Sequence, residues 1–150
     1  MASLAEDLDG SAAWISQALS SSGYPADFSP GSLWAVDRFF DDQSVAGRAR
    51  PGGLLDKDLG GRLFAVGAYV GEVIRRAVGA QWRTDDQDPH GEVNVELVLP
   101  DGSTVWPVQR VMKRFKNGAE DGLVAYATAL GVAVGPAPEV PTRRWWRRNR

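Results

Sequence analysis

The sequence predicts an α+β fold: N-terminal helices, then a small antiparallel sheet of about three strands containing a hairpin, then two C-terminal helices. Three observations carry that expectation. Apolar residues recur at three- and four-residue steps as far as Val78, they alternate with more polar neighbours from Val93 to Leu99, and the turn-forming run Pro100, Asp101, Gly102, Ser103 follows the alternating stretch at once.

Between Ser11 and Ser22 the residues Trp14, Ile15, Ala18 and Leu19 share one helical face, and Gly23 supplies the positive φ that stops the helix. A second helix is opened by Ser29 as cap and Pro30 at the first helical position, with Leu33, Val36, Phe39 and Phe40 turned inward. The stretch from Gly47 to Lys57 mixes Arg48, Arg50, Pro51, Gly52 and Gly53 without periodicity, which predicts a mobile connection or a lid. From Leu59 to Val78 the helical period returns on two adjoining stripes, one of Leu63, Val66, Val70 and Ile74, the other of Gly60, Phe64, Gly67 and Gly71. Each glycine inside a helix costs about 1 kcal/mol relative to alanine, so the stripe implies close approach of another backbone and places this helix at the centre of the fold.

After Gly79 a strand is expected at Gln81 to Thr84, and Val93, Val95, Leu97 and Leu99 define a half-buried one. Its partner, Thr104 to Val108, completes the hairpin. Pro107 then opens a helix reaching Lys116, with Val111, Met112 and Phe115 inward and Gln109, Lys113 and Lys116 outward, until Asn117 and Gly118 stop it. A last helix, about Glu120 to Leu130, turns Leu123, Tyr126, Ala127 and Leu130 to the core. Trp14, Trp34, Trp82 and Trp106 are expected to lie mostly in that core as well.

A chain of 150 residues is long enough for one domain with a core of its own. With no cysteine there is no disulfide, thiolate nucleophile, iron–sulfur cluster or thiolate zinc site. The first ten residues carry Glu6, Asp7 and Asp9 and lack the pattern of a secretion signal, and the most apolar run, Leu63 to Val78, is interrupted by Glu72, Arg75 and Arg76. A soluble, cytoplasmic protein is expected. The excess of 14 Arg over 3 Lys fits a GC-rich bacterial gene.

Charge is divided unevenly. The last nine residues hold five arginines and no acid, so residues 1–141 carry 12 basic against 19 acidic side chains, a net charge of −7 hidden within a total of −2. Pro136, Pro138 and Pro141 disfavour regular structure at the junction. The expected organisation is a single domain over 1–134 and a Pro-rich linker with a flexible Arg/Trp tail over 135–150.

The region from Leu63 to Tyr126 resembles small uncharacterised proteins of actinobacteria. The likeness rests on the glycine-bearing segment Leu63 to Ile74, Trp82, the turn Leu99-Pro100-Asp101-Gly102, the sequence Val105-Trp106-Pro107, the basic residues Arg110, Lys113 and Arg114, and Glu120 and Asp121. Such domains have a loose association with immunity or accessory roles beside secreted toxins. The resemblance assigns no activity and no functional residue.

Several constellations carry possible chemistry. Asp85, Asp86, Asp88, His90 and Glu92 form the one cluster with metal-ligating residue types, and Asp86, Asp88 and His90 have the alternate spacing of a calcium loop without its sixth-position glycine or twelfth-position acid. A solvated connection between strands is the plainer reading, and no metal or other cofactor is assigned. The single histidine, His90, has no nucleophile motif to serve, and Gly52, Gly53, Gly60 and Gly61 lack the lysine and the strand of a phosphate-binding loop. Glu72 is the best candidate for a partly buried acid, although an ion pair with Arg75 or Arg76 one turn along is its ordinary role. Arg110, Lys113, Arg114 and Lys116 suit either phosphate or an internal ion-pair network.

The tail residues Arg143, Arg144, Trp145, Trp146, Arg147 and Arg148 are the expected partner-binding set, because guanidinium groups make bidentate phosphate or carboxylate contacts and indoles stack on bases or settle at lipid headgroups. At an anionic membrane five basic residues contribute about 5 kcal/mol, enough for reversible attachment. The competing reading docks the tail on the acidic body of its own or a neighbouring chain. With no catalytic set assembled, the expected function is a non-enzymatic interaction or accessory protein, of an immunity or inhibitor-like kind, whose acidic body binds a protein partner. The alternatives are a small metal-dependent enzyme or metal binder using the Asp85–Glu92 loop, and a tail-led membrane or nucleic-acid adaptor.

Overall fold

The computed structural model describes residues 2–139. Its axis is helix α3 (Leu59–Val78), whose two apolar stripes bury Leu63, Val66, Val70 and Ile74 on one side and Phe64, Gly67 and Gly71 on the other. A Cβ at Gly67 would stand 2.7 Å from the Cα of Val108, so a neighbouring backbone does run against the helix there. At Gly71 the space is taken by a side chain instead, the Trp82 indole, 2.1 Å from where a Cβ would be. Gly60 has open space beside it. Arg75 and Arg76 fill the last turn, favourable beside the partial negative charge of the helix end, and Gly79 in the left-handed region closes the helix.

Helix α1 (Leu4–Ser21) packs along α3 and starts seven residues earlier than the apolar periodicity alone predicts. The reason is an N-cap with outside help: the Ser3 hydroxyl accepts from the Glu6 amide and donates to the Glu6 carboxylate, and the Leu4 amide donates to the Asp86 carboxylate. The buried face is Leu8, Ala12, Ile15 and Leu19, while Trp14, expected inside, is 52% exposed.

Before α2 (Leu33–Gln43), Pro30 opens a short 3-10 turn, Pro30–Ser32, rather than the helix itself, and the Ser29 side chain bonds Asp27 instead of capping. Leu33, Val36, Phe39 and Phe40 are all buried as their spacing implies. Phe28 takes a φ of +66°, and its amide donates to the hydroxyl of the fully buried Tyr69, which also bonds the Ser32 hydroxyl at 2.6 Å.

The Gly47–Lys57 stretch is held by bonds that periodicity cannot reveal. Strands β1 (Ser44–Val45) and β2 (Arg48–Ala49) form a tiny hairpin through Ala46 and Gly47, both at positive φ, and the Gly47 amide donates to the Phe115 carbonyl. Farther on, the Gln43 carboxamide accepts from Leu54 N, the Asp56 carboxylate accepts from Gly52 N, and Leu55 enters the core at 1% exposure.

The second sheet is antiparallel, order β3 (Gln81–Arg83), β4 (Glu96–Val98), β5 (Thr104–Val105), with Trp82 opposite Leu97 and Leu97 opposite Val105. Gly102 at φ +87° and the Asp101 carboxylate accepting from Ser103 N make the predicted turn. The strands are shorter than the alternation, yet Val95, Leu97 and Leu99 are buried on one face. Helix α4 (Pro107–Asn117) buries Val111 and Phe115 but leaves Met112 38% exposed, and Arg114, not Met112, is drawn inward. A 3-10 turn at Ala119–Asp121 precedes α5 (Leu123–Ala129), after which Val132 and Val134 still belong to the core and the Trp34 indole donates to the Gly135 carbonyl. The chain is α+β.

Candidate functional site

A large depression, with a cavity volume of about 970 Å³, lies between α2 and α5. Beneath it α2 carries two carboxylates one turn apart, Asp37 and Asp41, which reach α4, and Asp37 reaches α5 as well. Arg114 is 2% exposed and is gripped from three directions: its Nε donates to Asp37 Oδ1 at 2.9 Å, and its Nη2 to the Asp37 carbonyl at 3.0 Å and to Asp41 Oδ1 at 2.7 Å. Asp37 also accepts from the amides of Leu123 and Val124, so a residue of α2 caps the N-terminus of α5. One acid thereby fixes the positions of three helices.

Above this network the groove is lined by Trp34, Ala35, Val124, Ala125 and Pro138, with charge at its edges. Arg114 is neutralised inside, and Arg38, which also lines the groove, donates to the Gly23 carbonyl and lies over the Tyr24 ring. Acidic groups dominate what faces outward: Asp41, whose side chain is 60% exposed, together with Asp27 and Glu139. The Ser29 hydroxyl and amide hold the Asp27 carboxyl below its ordinary range, so it is charged at neutral pH. An apolar floor with an acidic rim suits a ligand that brings both a ring or aliphatic surface and a cation.

No family model, curated protein or solved structure matches this chain.

Glu72 is an ion-pair centre. Its carboxylate accepts from Arg75 Nε and Nη2 at 2.7 Å each, from Arg76 Nε at 2.8 Å and from the Trp82 indole at 3.3 Å. The Arg75 hydrogen bonds lead in pulling its pKa down to about 2 against the opposing effect of burial, and a carboxylate so held does not donate a proton near neutral pH. The shallow cavity beside it is lined by Asp9, Ala12 and Trp82 as well as Glu72.

The carboxylates of the acidic loop are taken up by nearby backbone amides and one side chain. Asp85 accepts from Gln87 N, Asp86 from Leu4 N at the start of α1, and Asp88 from His90 N and from the Asn94 side chain. Those bonds hold Asp88 below the usual carboxylate range. Among the described residues no three ligating side chains converge, so Asp86, Asp88 and His90 are not brought together as a metal site.

The basic helix divides between two internal partners. Arg110 pairs with Asp121 at 3.4 Å and lies over the Tyr126 ring, whose buried hydroxyl is raised to about 12. Arg114 reaches α2. Lys113 and Lys116 are exposed. Trp14 and Trp106 are exposed, against expectation, while Trp34 and Trp82 are half-buried and pack against the core. Arg143, Arg144, Trp145, Trp146, Arg147 and Arg148 lie outside the described residues. No helix among the described residues is long and apolar enough to cross a membrane.

Proposed function

We propose that this chain is a non-enzymatic interaction protein whose groove between α2 and α5 receives a cationic, aromatic-bearing segment of a protein partner, with the Arg143–Arg148 tail as a second contact. The observation that carries the reading is the groove itself: an apolar floor set between helices locked by the Asp37–Arg114 network, under a rim whose outward charge is acidic. The locked helices matter because a binding surface held in shape before the partner arrives loses less to ordering on association. An acidic body of net charge −7 would also speed encounter with a basic partner at low salt.

The test is display selection of random peptides against the full chain, with Ala125→Arg as the comparison. Ala125 is exposed on the groove floor and takes no part in the ionic network, so arginine there reverses local charge and blocks the groove without touching the fold. Selected peptides should pair Arg or Lys with Trp, Phe or Leu, and binding should fall by roughly tenfold or more on Ala125→Arg and with added salt. Selection of peptides without that composition, or binding unchanged by Ala125→Arg, would overturn the reading.

A further inference from the structure

We propose that in the free protein the groove between α2 and α5 is occupied by the chain's own C-terminal segment, Val140 to Arg150, acting as an internal stand-in for the partner. The inference rests on the groove being the partner site and adds an occupant and a regulatory consequence. Its first ground is where the described chain leads. Val134 is buried, the Trp34 indole fastens the Gly135 carbonyl at 3.1 Å, and Ala137, Pro138 and Glu139 then line the groove itself. The next residues start at the groove's edge, and at about 3.3–3.6 Å per residue the stretch through Trp146 has ample reach to cross it.

The second ground is complementarity. The segment holds two tryptophans, five arginines and no acid, and the groove offers apolar surface around Trp34 and Val124 beneath the carboxylates of Asp27, Asp41 and Glu139. Arginine makes charge-assisted bonds with carboxylates, and indoles fill apolar depressions. Tethering supplies the third ground, because a segment joined directly to its site competes at an effective concentration in the millimolar range. A contact too weak to form between separate molecules is then populated within one chain. A basic partner must displace the segment, and displacement frees the Arg/Trp tail for its second contact in the same step.

The chain has no cysteine, so two can be placed at will. Nitroxide labels on Ala129→Cys, at the exposed end of α5 away from the groove lining, and on Asn149→Cys report their separation by pulsed electron resonance in the full chain. The expected result is a narrow distance distribution within single molecules, with the labelled protein diluted by unlabelled. It should broaden when Arg143, Arg144, Arg147 and Arg148 are all changed to Ser, and likewise with Ala125→Arg. The four-serine variant should also bind a groove-selected cationic peptide roughly tenfold more tightly than the parent. A broad distribution unaffected by either change would overturn self-occupancy. So would a narrow one appearing only between singly labelled chains in a mixture, which would assign the groove to a second copy's tail. If peptides bind the groove while the distribution is broad, self-occupancy fails and the partner groove stands; if neither is seen, both fail.

Discussion

Two ionic clusters of mirror-image composition sit in this protein, and they do different work. At Glu72 one acid collects two bases, Arg75 and Arg76, from its own helix, and those arginines remain 40% and 50% exposed. At Arg114 one base collects two acids, Asp37 and Asp41, from a helix more than seventy residues away, and its side chain is only 3% exposed. The first decorates a helix that apolar burial already fixes. The second joins α2, α4 and α5 and shapes the groove above them. Bond lengths are nearly the same in both, so the difference teaches that burial and sequence separation, not geometry at the bond, set what an ion pair is worth.

The sharpest way to break the comparison is Asp37→Ala. It leaves the buried Arg114 charge without its main partner and strips the cap from α5, and loss of one member of a buried pair costs about 3–5 kcal/mol. Arg114→Met should cost less, about 1–2 kcal/mol, because Asp37 keeps the Leu123 and Val124 amides and methionine fills much of the volume. Urea denaturation followed by circular dichroism measures both. If Arg114→Met proves the costlier change, Asp37 does not hold α5 as described.

Tyr69→Phe removes a contact of equally long range that carries no charge. It leaves the part-buried Phe28 amide without its acceptor, while the Ser32 hydroxyl keeps its bond to the Ser29 carbonyl, at a cost of about 1–3 kcal/mol, and releases the positive-φ turn at Phe28. Amide exchange at Phe28 should speed up by more than the global loss explains. Exchange that follows global stability alone would mean Tyr69 packs without anchoring that turn.

The same contrast explains what could be read from the chain in advance. The Glu72 cluster was legible because its members are one turn apart on one helix, and so were the bounds of α3 and the hairpin at Pro100–Ser103, whose signals are periodicity and turn chemistry. Helix α1 was misjudged at its start, although the capping-box signature Ser3…Glu6 was present. The groove was not legible at all. Asp37 and Arg114 look like ordinary surface residues on their own helices, and only tertiary packing brings 77 positions of separation down to one hydrogen bond. Met112, expected inward, stays exposed for that reason, while Arg114, expected only to join some internal ion-pair network, is drawn inward by the carboxylates of α2. Leu55 likewise entered the core from a segment with no period to announce it.

The smallest expected effect lies with Glu72 and carries a pH signature. Its pKa of about 2 in the folded chain is below the ordinary value of 4.5, so the folded state favours the ionised form. The resulting stability is fully present above pH 4.5 and is lost as the pH falls toward 2. The full displacement would correspond to about 3 kcal/mol, but with both arginine partners half exposed to screening solvent about 1 kcal/mol is the reasonable expectation. Wild type should therefore exceed Glu72→Gln by that amount at neutral pH, with the two converging between pH 4.5 and 2, and added salt should narrow the gap. A gap that stays constant down to pH 2 would assign the stabilisation to neutral hydrogen bonds, which glutamine retains only in part, and would remove the electrostatic half of the comparison with Arg114.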